Sequence, residues 1–388
     1  MPLIRISDIL DADGATRGSE DALCISADGR YAAFLGTRPP RRHAKRPLFV
    51  YDVVEQRASQ VTPTIEGVWL APDTLSLQMS HDGRLIAFLV DARESALAPP
   101  LGGDVFIYDW QADVVTPLGL HQRGLPAEAE AITAEFSDDM NLAVVQIAHP
   151  LQDAGPLLID RERGLARKLD CRAPCRAFQP AISGDGRVVA FLDETDCDDV
   201  GAGSGMLNLW LVEGPGRRCE VARLGRLADD TVAGQLMCFE DPRLSKSGRI
   251  LTVLGAATIG LSPPTSLLIW DRPREALVLV PRGPDGQLVS GGARSAVVSE
   301  EAGCVVFASG ASGLVPGDSN EATDVFLYDW VADRFQCLSA FDARTAANGP
   351  SRACDMSNDG RVVVFWSAAS NLVPGDRNEA PDIFLWQR

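Results

Sequence analysis

The chain writes nearly the same line twice: Gly313–Trp330 reads GLVPGDSNEATDVFLYDW, and Asn371–Arg388 reads NLVPGDRNEAPDIFLWQR. Asp318 and Asp376 hold matching positions, as do Asp324 and Asp382. A line that recurs at a fixed interval marks a repeat architecture, and weaker copies fill the rest of the chain. Their clearest anchor is Ser-x-Asp-Gly-Arg, written SADGR at Ser26, SHDGR at Ser80, SGDGR at Ser183 and SNDGR at Ser357. Degenerate versions stand at Ser137 (SDDMN), Ser245 (SKSGR) and Ser299 (SEEAG). Successive serines stand 54, 57, 46, 62, 54 and 58 residues apart. Eight positions after each comes an apolar residue: Phe34, Phe88, Val145, Phe191, Val253, Phe307 or Phe365.

Each unit reads as four short strands. Asp-Gly supplies positive-φ positions for a tight reversal. A strand of β-branched, small and aromatic residues follows, as in YAAFLG from Tyr31 or VVVFWS from Val362. After a variable loop comes a third strand (PLFVYD, DVFIYD, DVFLYD, DIFLWQ) and then a weaker fourth. The middle strands are apolar nearly throughout, which is how a strand buried on both faces reads. Small antiparallel sheets packed face to face around an axis produce that burial. The seventh unit stops after its third strand, at Trp386, while LIRIS (Leu3–Ser7) precedes the first unit as an orphan. Ser7 stands 19 residues ahead of Ser26 and Ser339 stands 18 ahead of Ser357, so the orphan aligns with a fourth strand. The expectation is therefore an all-β, seven-bladed β-propeller of four-stranded antiparallel blades over residues 1–388, closed by residues 3–7 in the last blade.

The Ser-x-Asp-Gly-Arg turn, the AF that follows it, and the LVPGD-x-N-x-x-x-D-hydrophobic-F line resemble the TolB-type, WD-like β-propeller repeats of bacterial proteins. The resemblance covers essentially the whole chain, closely in the first, second, fourth, sixth and seventh units and loosely in the third and fifth. It implies a propeller. The small α/β domain that precedes the TolB propeller has no counterpart here, so TolB's periplasmic role is not implied. A calcium-stabilised extracytoplasmic propeller is the form that many relatives take.

Composition narrows the partners. With 36 basic against 53 acidic residues the formal charge is −17, which disfavours nucleic acid and anionic membranes. No apolar run approaches a membrane span, and MPLIRISDILDADG shows no signal-peptide core, so a cytoplasmic location is expected, or a periplasmic one if a leader has been removed. Nine scattered cysteines read as thiols, Cys171 and Cys175 included.

Charge also singles out two loops. GTRPPRRHAKRP carries Arg38, Arg41, Arg42, Lys45 and Arg46 in the first unit, and DETDCDDVG carries Asp193, Glu194, Asp196, Asp198 and Asp199 in the fourth. Both are candidate docking loops for a protein partner, against the alternative of ordinary solvated loops. The repeated line offers Asp318, Asn320 and Asp324, then Asp376, Asn378 and Asp382. Oxygen ligands at i, i+2 and i+6 resemble part of a calcium loop, but the same residues build Asx turns, and no cofactor is required. His43, His81, His121 and His149 share no register, and no G-x-S-x-G elbow occurs. The expected role is a non-enzymatic scaffold that binds another protein within a larger assembly. The alternative is a lyase or hydrolase acting on a glycan or small molecule at a channel mouth.

Overall fold

In the computed structural model the Ser-x-Asp-Gly element is a turn with its own hydrogen-bond circuit. Ser26 Oγ donates to Asp28 Oδ1 at 2.6 Å and accepts the Tyr31 N–H at 2.9 Å, while Asp28 Oδ1 also accepts the Arg30 N–H at 2.9 Å. Gly29 closes the turn at φ +75°, a conformation that a Cβ would disfavour, and donates its N–H to the Ser26 carbonyl. The circuit recurs at Ser80, Ser137, Ser183 and Ser357, with Ser–Asp distances of 2.6 to 2.7 Å. In the degenerate Ser137 copy Met140 takes the glycine's place at φ +57°. All seven anchor serines are buried, so their hydroxyls depend on such internal partners.

The turns are also rungs between neighbouring sheets. Asn358 N–H donates to the Ala27 carbonyl and Asp28 N–H to the His81 carbonyl, at 2.8 and 3.0 Å. Asp138 N–H to Gly184 and Asp185 N–H to Lys246, both at 2.8 Å, repeat the pattern. His81 thus serves through its backbone, with its side chain exposed as its turn position predicts.

The structure describes residues 3–7, 18–36, 46–65, 67–70, 77–90, 104–120, 122, 130–148, 156–169, 175–195, 206–213, 217–219, 238–256, 265–283, 289–318, 320–342, 345–376 and 380–388. Six four-stranded sheets are antiparallel meanders of consecutive strands, spanning 18–61, 77–117, 130–168, 175–219, 238–280 and 294–337. A further four-stranded sheet is a composite: Leu3–Arg5 lies beside Asp382–Gln387, which pairs with Val362–Ser367 and then Ser351–Met356. The expectation of a seven-bladed propeller is corrected to six contiguous blades. Six blades are contiguous, and the remaining sheet has three strands of its own repeat and borrows its fourth from the other end of the chain. The borrowing itself follows the alignment of LIRIS, in the register Leu3 to Trp386, Ile4 to Leu385 and Arg5 to Phe384.

The chain divides into two compact units. Residues 1–127 with 299–388 hold the first two blades, the composite sheet and the last three strands of the sixth blade; residues 128–298 hold the third, fourth and fifth. The sixth blade's first strand, Arg294–Ser299, spans the division. Burial follows the apolar reading: Tyr31–Gly36 and Cys304–Ser309 are buried at every residue, whereas the outer strand Leu165–Lys168 is exposed at all four. The seven residues at the eighth position after each serine are all buried. In four sheets that residue is a phenylalanine facing another across the strand pair, Phe34 with Phe49, Phe88 with Phe106, Phe307 with Phe326 and Phe365 with Phe384, at centroid distances of 5.6 to 6.1 Å. Within the first unit, Ile25, Phe34 and Phe49 of the first blade pack against Val364, Trp366, Ile383 and Leu385 of the composite sheet. Val144, Ile182, Val189 and Phe191 join two blades of the second unit in the same way.

Candidate functional site

In three sheets an aspartate at or just before the start of the third strand is buried, and each sheet satisfies it differently. Asp104, Asp324 and Asp382 are each 1% exposed, so each carboxylate must find donors inside the protein. At Asp104 the donors are backbone: Oδ2 accepts the N–H groups of Gly119 and Leu120, at 3.0 and 3.4 Å. At Asp324 they are side chains. Ser339 Oγ donates to Oδ1 at 2.7 Å while accepting the Val325 N–H, and Asn320 Nδ2 donates to Oδ2 at 2.8 Å. At Asp382 Ser7 repeats the part of Ser339, donating to Oδ1 at 2.5 Å and accepting the Ile383 N–H at 3.2 Å. Here, however, a cation is added. Arg5 Nη1 lies 2.7 Å from Asp376 Oδ1 and 3.4 Å from Asp382 Oδ2, with all three side chains at most 7% exposed.

The sixth blade has no such arginine in that place. Cys337 pairs with Phe326 as Arg5 pairs with Phe384, and Phe326 and Phe384 occupy the same position of the repeated line. A thiol therefore stands where the guanidinium stem begins in the composite sheet. Burial pushes the Asp324 carboxyl up to about 6, against the pull of its bonds from Ser339 and Asn320 and with help from the charge of Asp318. Asp318 is raised too, by burial. Burial and the nearby charge of Asp324 push the Cys337 thiol up to about 12.

Beside these residues is a cavity of about 480 Å³. Its lining includes Asp318, Asp324 and Cys337, the aromatic side chains Phe335 and Phe341, and Leu3 and Trp386 of the composite sheet. Two short paired strands that follow the blade, Ala340–Asp342 and Thr345–Ala346, also contribute to its lining. Phe341 is 50% exposed there, a large apolar side chain left partly in water. The pocket combines apolar walls with two carboxylates, which is the composition of a binding site that orients a polar group.

Of the residues singled out by sequence, the structure places Asp318 and Asp324 in the lining of this pocket, with Asn320 bonded to Asp324, and Asp376 with Asp382 around Arg5. Asn320 behaves as an Asx-turn residue: its Oδ1 accepts the Ala322 N–H, while its Nδ2 serves Asp324 and the Ala347 carbonyl. Asn378 lies outside the described residues, as do Arg38, Arg41, Arg42, Lys45, Asp196, Asp198 and Asp199, and with them His43, His121, His149 and Cys171. Arg46 is described and half-buried. Asp193 and Glu194 fall in the strand Val188–Thr195, in backbone register with Ala177 and Arg176. Among the described residues no group of three or more His, Cys, Asp or Glu side chains is placed to hold a metal ion. No helix among them is long and apolar enough to cross a membrane. Sequence reasoning missed Arg5, Ser7, Ser339 and Cys337 as members of a site. The signal for the serines was present, since Ser7 and Ser339 hold nearly the same place relative to the next anchor; nothing local pointed to Arg5.

No protein-family model and no curated protein matches the sequence, so the likeness to TolB-type repeats rests on the motifs alone. Solved structures do match. The β-propeller domain of the trilobed protease from Pyrococcus furiosus is 11% identical, with a TM-score of 0.61 over 96% of this chain and 95% of that one. An oligogalacturonate lyase from Vibrio parahaemolyticus is 13% identical, with a TM-score of 0.58 over 99% and 93%. The acylaminoacyl peptidase of Pyrococcus horikoshii matches at 11% identity and a TM-score of 0.57, covering 96% of this chain and 51% of that one. These likenesses show the fold, an all-β propeller.

Proposed function

We propose that the chain is a binding module that docks a polypeptide partner through the pocket of the sixth blade. The observation that carries this reading is the pocket itself: about 480 Å³, lined by Phe335, Phe341 and Trp386 together with Asp318 and Asp324. That volume admits one or two side chains, and lining residues held on paired strands can keep them in a defined orientation. The basic and acidic loops read from charge lie largely outside the described residues, and the reading does not draw on them. Selection from a displayed peptide library tests it. Enriched peptides should bind at micromolar affinity or better and lose about tenfold on Phe341→Ala, a truncation of an exposed wall. A library that yields no binder, or binders indifferent to Phe341→Ala, would remove the pocket from the argument.

A second reading, a lyase or hydrolase, is favoured by the raised Asp324 carboxyl in a cleft, where general acids are found. The fold likeness to an oligogalacturonate lyase supports it only weakly. A polyanionic substrate would meet two carboxylates in the pocket and a chain of formal charge −17, which opposes it electrostatically. Release of unsaturated products from oligogalacturonate, abolished by Asp324→Asn, would establish this reading over the first.

A further inference from the structure

We propose that the sixth-blade pocket takes a guanidinium group on an aliphatic stem, seated against Asp318 and Asp324 as Arg5 is seated against Asp376 and Asp382. The proposal rests on the pocket's being a docking site and names what it docks.

The molecule contains its own worked copy of the recognition. Asp318 and Asp324 become Asp376 and Asp382 one repeat later, and in that copy the two carboxylates hold one guanidinium nitrogen at 2.7 and 3.4 Å. The supporting serine keeps its geometry in both copies, Ser339 on Asp324 and Ser7 on Asp382. What changes is the residue across from Phe326 or Phe384, which is Cys337 in one and Arg5 in the other. A cysteine side chain ends where an arginine stem is only beginning, and the pocket opens beyond it.

The pocket is shaped for a cation. The Asp318 carboxylate meets no cation and no hydrogen-bond donor among the described residues, and it lines the pocket. Both Asp324 oxygens are already bonded, but each carboxylate oxygen has a second lone pair to offer. Phe335, Phe341 and Trp386 line the pocket with aromatic surface, which favours an aliphatic stem and attracts a planar cation. A guanidinium suits two carboxylates better than an ammonium does, because its fork presents several N–H donors in one plane.

Calorimetric titration of the full chain with agmatine is the test, with the peptide acetyl-Gly-Gly-Arg-Gly-Gly-amide as the second probe. One saturable site is expected, weakened roughly tenfold or more by Asp318→Asn through loss of a charge-assisted contact. Replacing the probe's arginine with citrulline, which has nearly the same shape and no charge, should abolish binding. Cys337→Arg should also abolish it and raise Tm, because the chain would then fill the slot itself. If that variant does not fold, Asp318→Asn, at a half-buried position, still decides the matter. A tighter peptide than agmatine identifies a polypeptide arginine as the source, and the reverse identifies a free guanidine. The proposal is overturned by no saturable binding of either probe, by binding that Asp318→Asn leaves intact, or by a site that takes calcium and neither probe. Library peptides that dock at Phe341 without arginine would sink this inference and leave the binding module standing. Agmatine binding with no peptide docking would do the opposite.

Discussion

Asp318 and Asp376 sit at the same point of two nearly identical lines, yet one is sealed against an arginine and the other faces a cavity. Up to the third strand the copies are built alike. Each carries a buried aspartate at the strand's start, a serine beyond the fourth strand on that aspartate, and a phenylalanine pair behind it. The fourth strand makes the difference. In the sixth blade it is the next stretch of the same repeat and brings Cys337; in the composite sheet it is the chain's own beginning and brings Arg5. A buried pair of carboxylates is costly unless neutralised, and the composite sheet neutralises it internally. The sixth blade instead raises the Asp324 carboxyl and leaves Asp318 against the pocket.

The largest expected effect comes from breaking the sealed copy. Arg5→Ala leaves Asp376 and Asp382 buried without their cation, a loss of about 3–5 kcal/mol by analogy with broken buried ion pairs, read as a lower denaturation midpoint. Adding Asp376→Asn and Asp382→Asn should recover much of it; failure to recover would mean that Arg5 acts by packing and not by charge. Deleting residues 3–7 should lower Tm at least as far, because it also leaves Asp382–Gln387 with an unpaired edge.

Next in size is a pH effect confined to the open copy. Asp324 binds its proton more tightly in the folded state than in the unfolded chain, since burial raises it to about 6. Stability from this group is therefore fully present below about pH 4 and lost as pH rises through 6, by about 3 kcal/mol at most. The Asp324→Asn variant should lack that slope in a series of urea melts between pH 4 and 7. Equal slopes in variant and parent would assign the titration elsewhere. The smallest effect is the one the copies share. Ser7→Ala and Ser339→Ala each remove a donor to a buried carboxylate, at about 1–3 kcal/mol, and the two losses should agree within error. A much larger loss at Ser7 would show that Arg5 depends on the serine to hold Asp382.

Much of the architecture was written in the sequence because its determinants are local. Ser, Asp and Gly at fixed spacing close a turn through bonds between near neighbours in the chain, and the apolar residue eight positions on is buried in every copy. Even the borrowed strand was legible, because LIRIS keeps its distance from the next anchor. The count of seven blades was not, since a sheet assembled from two distant stretches of the chain is not a contiguous repeat like its neighbours. Nor was the site. Both lines carry the same two aspartates, so no reading of them could tell that one pair receives an arginine from far away in the chain and the other a cysteine. Short-range hydrogen bonding made turns, strands and core positions readable from residue order alone. Which carboxylates are neutralised, and which are left to meet a ligand, depends on the strand laid alongside, and that is decided only when distant parts of the chain pair.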